Sequence, residues 1–158
     1  MNPCDYLDEV RALAKQAGEK ILEIYNTEFS VQEKDDKSPL TAADMASHKT
    51  IVAGLQSLSP DIPVLSEESA KIPYQERAGW HTYWLIDPLD GTREFIKRNG
   101  EFTVNIALIH DGVPVLGVVH VPVTGVCYAA CEGRGAIKAT PGEGAKAIRV
   151  RALSDGPV

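Results

Sequence analysis

A chain of 158 residues, 44% hydrophobic and 24% charged, has room for one domain with its own core and the composition of an ordinary globular protein. Its formal charge of −6 sets up no field that favours nucleic acid or an anionic membrane surface, which argues against nucleic-acid partners. Three cysteines, Cys4, Cys127 and Cys131, are too few and too oddly spaced for a disulfide framework. With no histidine close to the Cys127/Cys131 pair, they read as inert thiols rather than metal ligands.

The acidic start of the chain becomes amphipathic at once, unlike a secretory leader, which points to the cytoplasm. Residues 5–25 read as a helix, because Leu7, Val10, Ala14, Ala17, Ile21 and Ile24 recur at alternating spacings of three and four and form one apolar stripe. Asp5, Asp8 and Glu9 place negative charge at its start, as the macrodipole prefers. Residues 29–32 suggest a short strand, followed by a charged loop over 33–37. Residues 41–58 read as a second helix with Ala42, Met45, Ala46, Ile51, Leu55 and Leu58 on its buried side. Thr41 and Asp44 have the spacing of a capping box, and Ser59-Pro60 stops the helix, since proline excludes α for its predecessor.

Residues 62–65 form a short strand that runs into Ser66-Glu67-Glu68-Ser69. A loop through Pro73 and Gly79 leads to a strand over 83–86, and a short helical pattern follows at 94–97. Strands over 103–109 and 113–121 flank Asp111-Gly112, a strong two-residue hairpin signal. A strand at 126–130 comes next, then a Gly-rich turn region at 133–144 with one short edge strand, and a last strand at 147–151. The longest apolar run, 113–123, holds Pro114, Gly117 and His120 and is too short to span a bilayer. Helices first and antiparallel strands after give an α+β fold: two N-terminal helices packed on one face of a mostly antiparallel meander sheet. Residues 152–158 follow the last strand with nothing to cover it. An antiparallel sheet can leave one face to water, and a chain shorter than its full fold is the other reading.

The chemistry concentrates between Trp84 and Glu101. The apolar run ends in Asp87-Pro88, and Asp90-Gly91-Thr92 follows before the short helix. Pro88 has a fixed φ and no N–H, so it ends a ladder and turns the chain outward. Gly91 permits a tight turn and a close approach of backbone to ligand. Carboxylate oxygens suit hard cations such as Mg²⁺, and the free amides of a helix start suit phosphate. Asp-Pro and Asp-Gly are also ordinary turn formers, but two such carboxylates at one strand end favour a site. Glu67 and Glu68, after another short strand, either join them around a cation or form a solvated turn. More than two carboxylates suggest more than one metal, an arrangement that positions a nucleophilic water and stabilises the leaving oxygen. Thr92 is either a helix cap or a holder of the attacking water, and Asp44 reads first as a cap.

Ser66-Glu67-Glu68 and Asp87-Pro-Leu-Asp-Gly-Thr92 resemble the paired motifs of the lithium-sensitive, Mg²⁺-dependent phosphatases related to inositol monophosphatase. The stretch 84–109 and Ser38-Pro-Leu-Thr-Ala-Ala-Asp44 look like the CysQ-type 3′(2′),5′-bisphosphate nucleotidase branch. The resemblance implies an enzyme that hydrolyses the 3′-phosphate of adenosine 3′,5′-bisphosphate to AMP and phosphate, clearing a by-product of sulfate activation. It implies that Glu67, Asp87 and the Leu89 carbonyl hold one Mg²⁺ and that Asp87 and Asp90 share a second. Gly91 and Thr92 amides would hold the phosphate, and substrate contacts would extend to Glu67, Leu89 and Asp90. Thr92 would orient the water, with Asp44 accepting from its hydroxyl. Members of this family continue into a second αβ region carrying a Trp-Asp motif, and no such motif occurs here. Residues 1–158 therefore read as the N-terminal half of the sugar-phosphatase fold, with activity impaired, a partner limited to a small nucleotide, and a homodimer as one way to supply the missing ligand.

Two alternatives stand beside that reading. One is a non-catalytic metal- or phosphate-binding fragment, and the other is inositol monophosphatase-type activity. A half-domain with exposed strand edges would also be prone to aggregation. The resemblance extends localisation to the cytoplasmic face of the inner membrane as an alternative, with no anchor in the sequence to support it.

Overall fold

In a computed structural model, residues 2–27, 38–69 and 72–151 are described. The expected strand at 29–32, the charged loop at 33–37 and the tail at 152–158 lie outside them. The chain opens with a 3-10 turn, Pro3–Tyr6, capped by Asn2, whose side chain accepts from the Cys4 amide at 3.1 Å. Helix α1 (Leu7–Tyr25) follows. It buries Val10, Leu13, Ala14, Ala17, Ile21 and Tyr25, essentially the stripe its periodicity predicts. At Gly18 it rides so close to the sheet that a Cβ would meet the His120 ring at 2.9 Å.

Helix α2 (Pro39–Leu58) starts two residues earlier than expected. Its cap is Ser38, whose hydroxyl accepts from the Thr41 amide at 3.2 Å, with Pro39 at the first helical position. The Thr41/Asp44 capping box is therefore not formed. Asp44 sits a turn and a half into the helix. The buried side is also rotated from the expected one: Ala43, Asp44, Ser47, Ile51 and Leu55 face inward, while Ala42 is exposed. Two polar side chains thus occupy the inner face of α2 where an apolar stripe was expected.

The sheet has seven strands in the order of the chain: β1 (Val64–Ser66), β2 (Thr82–Asp90), β3 (Thr103–His110), β4 (Val113–Val121), β5 (Val126–Cys131), β6 (Gly135–Thr140) and β7 (Gly144–Ile148). The fold is α+β, as the element order predicts. β1 runs parallel to β2, and every other pair is antiparallel. The link between β1 and β2 contains α3 (Tyr74–Arg77), a single turn with no apolar period to announce it. The β3–β4 turn has Asp111 at φ 47° and Gly112 at φ 78°, the left-handed pair that two-residue hairpins require. The glycines of 133–144 mark turns rather than a loop. They bound β6, a full strand, and the last strand is Gly144–Ile148 rather than 147–151.

α1 and α2 pack on one face of the sheet, over Trp84, Ile86, Val104, Ile106, Leu108, Leu116 and Val118. Tyr25, Phe95 and Phe102 close one end of this core, with Tyr25 and Phe102 rings 4.9 Å apart. The Trp84 indole N–H reaches the Ser59 hydroxyl at 2.8 Å, so the largest buried ring leaves no donor unpaired. On the opposite face Leu85, Val119 and Tyr128 are about 40% exposed. Between them Ala107, Gly117, Ala130 and Ala136 align in register across four strands.

The cysteines do not conform to the inert-thiol reading. Cys4 and Cys131 form a disulfide, with Cα atoms 5.6 Å apart across 127 residues of sequence. Spacing along a chain says nothing about which distant segments the fold brings together. Cys127 alone is a free, buried thiol, and burial pushes its pKa up.

Candidate active site

Parallel pairing of β1 with β2 brings two acidic stretches out of the sheet side by side. Ser66 pairs with Ile86, and the Glu67 amide donates to the Ile86 carbonyl at 3.3 Å. Glu67 therefore stands next to Asp87, within hydrogen-bonding reach. β2 does not stop at Pro88, as its sequence suggests. It continues to Asp90 through a bulge: Asp87 pairs with Asn105 and Asp90 with Thr103, three steps on β2 against two on β3. A strand without the extra residue would send Asp87 and Asp90 to opposite faces. Because Asn105 and Thr103 share a face, the bulge turns both carboxylates to the same side. Pro88 explains the irregularity, since it has no N–H to offer the ladder.

The Asp87 carboxylate accepts from the Leu89 amide, and one of its oxygens is buried without a partner. Burial, then Glu67 and then Asp90, push its pKa up to about 6. Leu89 turns its side chain into the core. Asp90 accepts from the Asn105 side-chain Nδ2 at 3.0 Å. Gly91 takes φ 102°, and a Cβ there would meet the Glu101 carbonyl at 3.1 Å, so glycine is required on both counts. Thr92 opens α4 (Thr92–Lys97), with the Phe95 amide donating to the Gly91 carbonyl at 2.9 Å.

Asp44 is 8% exposed and carries a buried, unpartnered oxygen. Its pKa is pushed up to about 8, first by burial and then by Glu68, with Asp87 and Glu67 adding to it. The groups acting on Asp44 are thus carboxylates. Thr92, expected to donate to it, is not among them. The structure brings Asp44, Glu67, Asp87 and Asp90 together and adds two residues that sequence reasoning missed. Glu68 faces Asp44, and Asn105 holds Asp90. Asn105 was detectable in principle, being polar on a strand whose next residues on that face are Thr103 and Ala107. Three further bonds run from α2 and β1: Ser47 Oγ donates to the Pro88 carbonyl at 2.7 Å, His48 Nδ1 meets Ser66 Oγ at 2.9 Å, and the Glu68 amide donates to Ser66 Oγ at 3.3 Å.

Among the described residues, no three His, Cys, Asp or Glu side chains are gathered closely enough to hold a metal ion by themselves. The donors nonetheless suit a hard divalent cation, which typically takes one or two carboxylates and fills its shell with water and phosphate oxygens. Glu67 and Asp87 are in reach of one another, and Asp87 has a buried oxygen with no partner. The repulsion among these carboxylates is what a bound cation would relieve. Glu67, Asp87 and Asn105 also close one end of an open groove of about 550 Å³, floored by Leu85, Ala107, Gly117 and Val119. Among the described residues no helix is long and apolar enough to cross a membrane.

Comparison with known proteins agrees with this geometry. The 3′(2′),5′-bisphosphate nucleotidase CysQ of Shigella flexneri is 56% identical over 130 residues, covering 81% of this chain and 52% of that protein. The CysQ of Aggregatibacter actinomycetemcomitans is 45% identical over 87% of this chain and 51% of its own. The crystal structure of CysQ from Bacteroides thetaiotaomicron, described as a bacterial member of the inositol monophosphatase family, superposes with a TM-score of 0.77 at 49% identity. It covers 96% of this chain and 52% of that one. The chain thus spans about half the length of the curated relatives it matches. The profile of the inositol monophosphatase family covers residues 5–155, and the chain belongs to that family.

Proposed function

We propose that this chain carries the metal-binding half of a Mg²⁺-dependent phosphomonoesterase that removes the 3′-phosphate of adenosine 3′,5′-bisphosphate, leaving AMP and phosphate. The observation that carries the reading is the crowding of Glu67, Asp87 and Asp90, with a buried Asp87 oxygen lacking a partner. The names of the 45–56% identical relatives support the substrate class.

Glu67, Asp87, Asp90 and the Leu89 carbonyl would hold Mg²⁺, which when bound supplies charge neutralisation at the phosphate and a more acidic water. The chain's own residues do the rest. The Gly91 and Thr92 amides, at the start of α4, would donate to a phosphate oxygen. The Thr92 hydroxyl orients the attacking water. Asp44, whose pKa burial and then the neighbouring Glu68 push up to about 8, holds a proton near neutral pH. Asn105 fixes Asp90 in one orientation.

Residues 1–158 form one half of the family's fold in this reading, and the remaining carboxylate and the base pocket come from the relatives' other half or from a second copy. The substrate is a small molecule of the cytoplasm. Binding of Mg²⁺ and phosphate without turnover is the second reading, favoured by the lack of a three-ligand cluster among the described residues. Phosphate release from adenosine 3′,5′-bisphosphate, with and without Mg²⁺, separates the two. Mg²⁺-dependent release abolished by Asp90→Asn supports the enzyme. Mg²⁺ uptake with no release, by a chain that stays folded, supports the binding half.

A further inference from the structure

We propose that Ser47 and His48 are positioning residues that set the separation of the two acidic stretches and thereby the affinity for a divalent cation. The inference rests on the cation reading above and deepens it. Asp44, Ser47 and His48 are spaced three and four residues apart, so they project from one side of α2. Each meets a different part of the site: Asp44 the Glu68 carboxyl, Ser47 the β2 bulge, His48 the end of β1.

Ser47 is fully buried and its hydroxyl reaches the Pro88 carbonyl at 2.7 Å, across 41 residues of sequence. Pro88 lies inside the bulge, where the β2–β3 ladder slips by one residue and backbone groups lose their ladder partners. A hydroxyl from another element satisfies that carbonyl and fixes the bulge that aims Asp87 and Asp90 to one side. Nothing in helix formation calls for serine here, because a mid-helix hydroxyl usually folds back on its own helix. Thr50, three residues on, does that, bonding the Ala46 carbonyl at 2.9 Å.

His48 acts on the other stretch. Its Nδ1 lies 2.9 Å from Ser66 Oγ, and the same oxygen accepts from the Glu68 amide at 3.3 Å. A hydroxyl accepts and donates at once, so Ser66 links α2 to the turn that presents Glu67. One helix side therefore clamps both stretches, and losing either bond lets them drift relative to each other.

The test is Mn²⁺ binding to the 158-residue chain, followed by electron paramagnetic resonance of the free ion, with metal-free thermal melts beside it. Ser47→Ala and His48→Ala are each expected to weaken binding about tenfold, the usual cost of removing a group that orients a metal ligand. His48→Asn, whose side-chain amide extends to where Nδ1 lies, is expected to recover most of the loss. Wild-type affinity in both alanine variants overturns the inference and leaves the cation reading standing. A wild-type chain that takes up no Mn²⁺ removes both. Weakened binding that tracks the loss of folded protein, with no recovery in His48→Asn, reduces these residues to parts of the scaffold and also overturns it.

Discussion

Trp84 and Leu85 are neighbours on β2, yet the indole is fully buried and the leucine is 42% exposed. They stand for the two faces of the same sheet. The Trp84 face is covered by α1 and α2, and its alternate positions are almost all apolar. The Leu85 face has small or partly exposed side chains along its middle, with Ile109 buried at one end and Asp87, Asp90 and Asn105 at the other. Strand alternation alone sorts these residues. What it cannot do is bring both aspartates to one face, and the bulge at Pro88 does that. One face of this sheet is organised for stability, and the chemistry gathers where the end of the other meets side chains from α2, so substitutions should separate them.

The largest effect is expected for that neighbouring pair. Trp84→Ala removes the biggest core ring, its bond to Ser59 and its edge contact with Tyr6 at 5.8 Å, and should cost about 3–5 kcal/mol. Leu85→Ala should cost under about 1 kcal/mol, since much of that side chain already meets water. Urea unfolding of both variants measures the contrast directly. Equal costs would mean that the open face is as tightly packed as the covered one.

Next in size is the bond that ties the covered face together. Cys4–Cys131 fastens the turn before α1 to the end of β5. Cys4→Ser is expected to lose about 2–4 kcal/mol, because the bond closes a very long loop in the unfolded chain. Reductant should bring the wild-type melt down to that of the variant and leave the variant unchanged. A wild-type melt indifferent to reductant would show that the two sulfurs are not joined in solution.

The contrast between the faces also explains what could be read in advance. The α1 stripe, the α+β order, the Asp111-Gly112 hairpin and the placing of Asp87 and Asp90 at one strand end follow from local patterns of spacing and turn chemistry, whereas only the family resemblance ties Glu67 to them. The errors share a cause, which is that tertiary partners decide. Asp44 looked like a cap by spacing, but Ser38 took that role and Asp44 turned inward to other carboxylates. β2 looked finished at Pro88, yet pairing with β3 carried it on to Asp90. The parallel β1–β2 pair, the disulfide and the reach of Ser47 to Pro88 depend on contacts between distant segments, and no local window contains them.

The acid end of the molecule should give a smaller effect with a definite sign. Asp44 rises from an unfolded value near 3.8 to about 8 in the folded chain, and Asp87 from 3.8 to about 6. A carboxyl with a raised folded pKa contributes stability that is fully present below the unfolded pKa and lost as pH rises through the folded one. The metal-free chain should therefore lose stability from these groups between pH 4 and 8, Asp87 giving up its share first. Asp44→Asn keeps the shape without the charge. Its stability relative to wild type should grow across that window, reaching roughly 1–3 kcal/mol at pH 8. Mg²⁺ should shrink the difference at pH 8. Parallel stability curves for the two proteins would show that Asp44 ionises in the folded chain as readily as in the unfolded one.

The smallest change in stability is expected where the open face meets the site. Asn105 donates to Asp90 at 3.0 Å, while its own carbonyl oxygen is buried with no partner. Asn105→Ala deletes a favourable bond and an unsatisfied acceptor together. The loss of the first is offset by relief from the second, so unfolding free energy should stay within about 1 kcal/mol of wild type. Cation binding should not stay level, because Asp90 then loses the group that fixes its orientation. A residue that leaves the melt in place and still weakens Mn²⁺ uptake belongs to the chemistry of this face. If Asn105→Ala instead unfolds the chain as Trp84→Ala does, the division of labour between the two faces fails at the point where it should be cleanest.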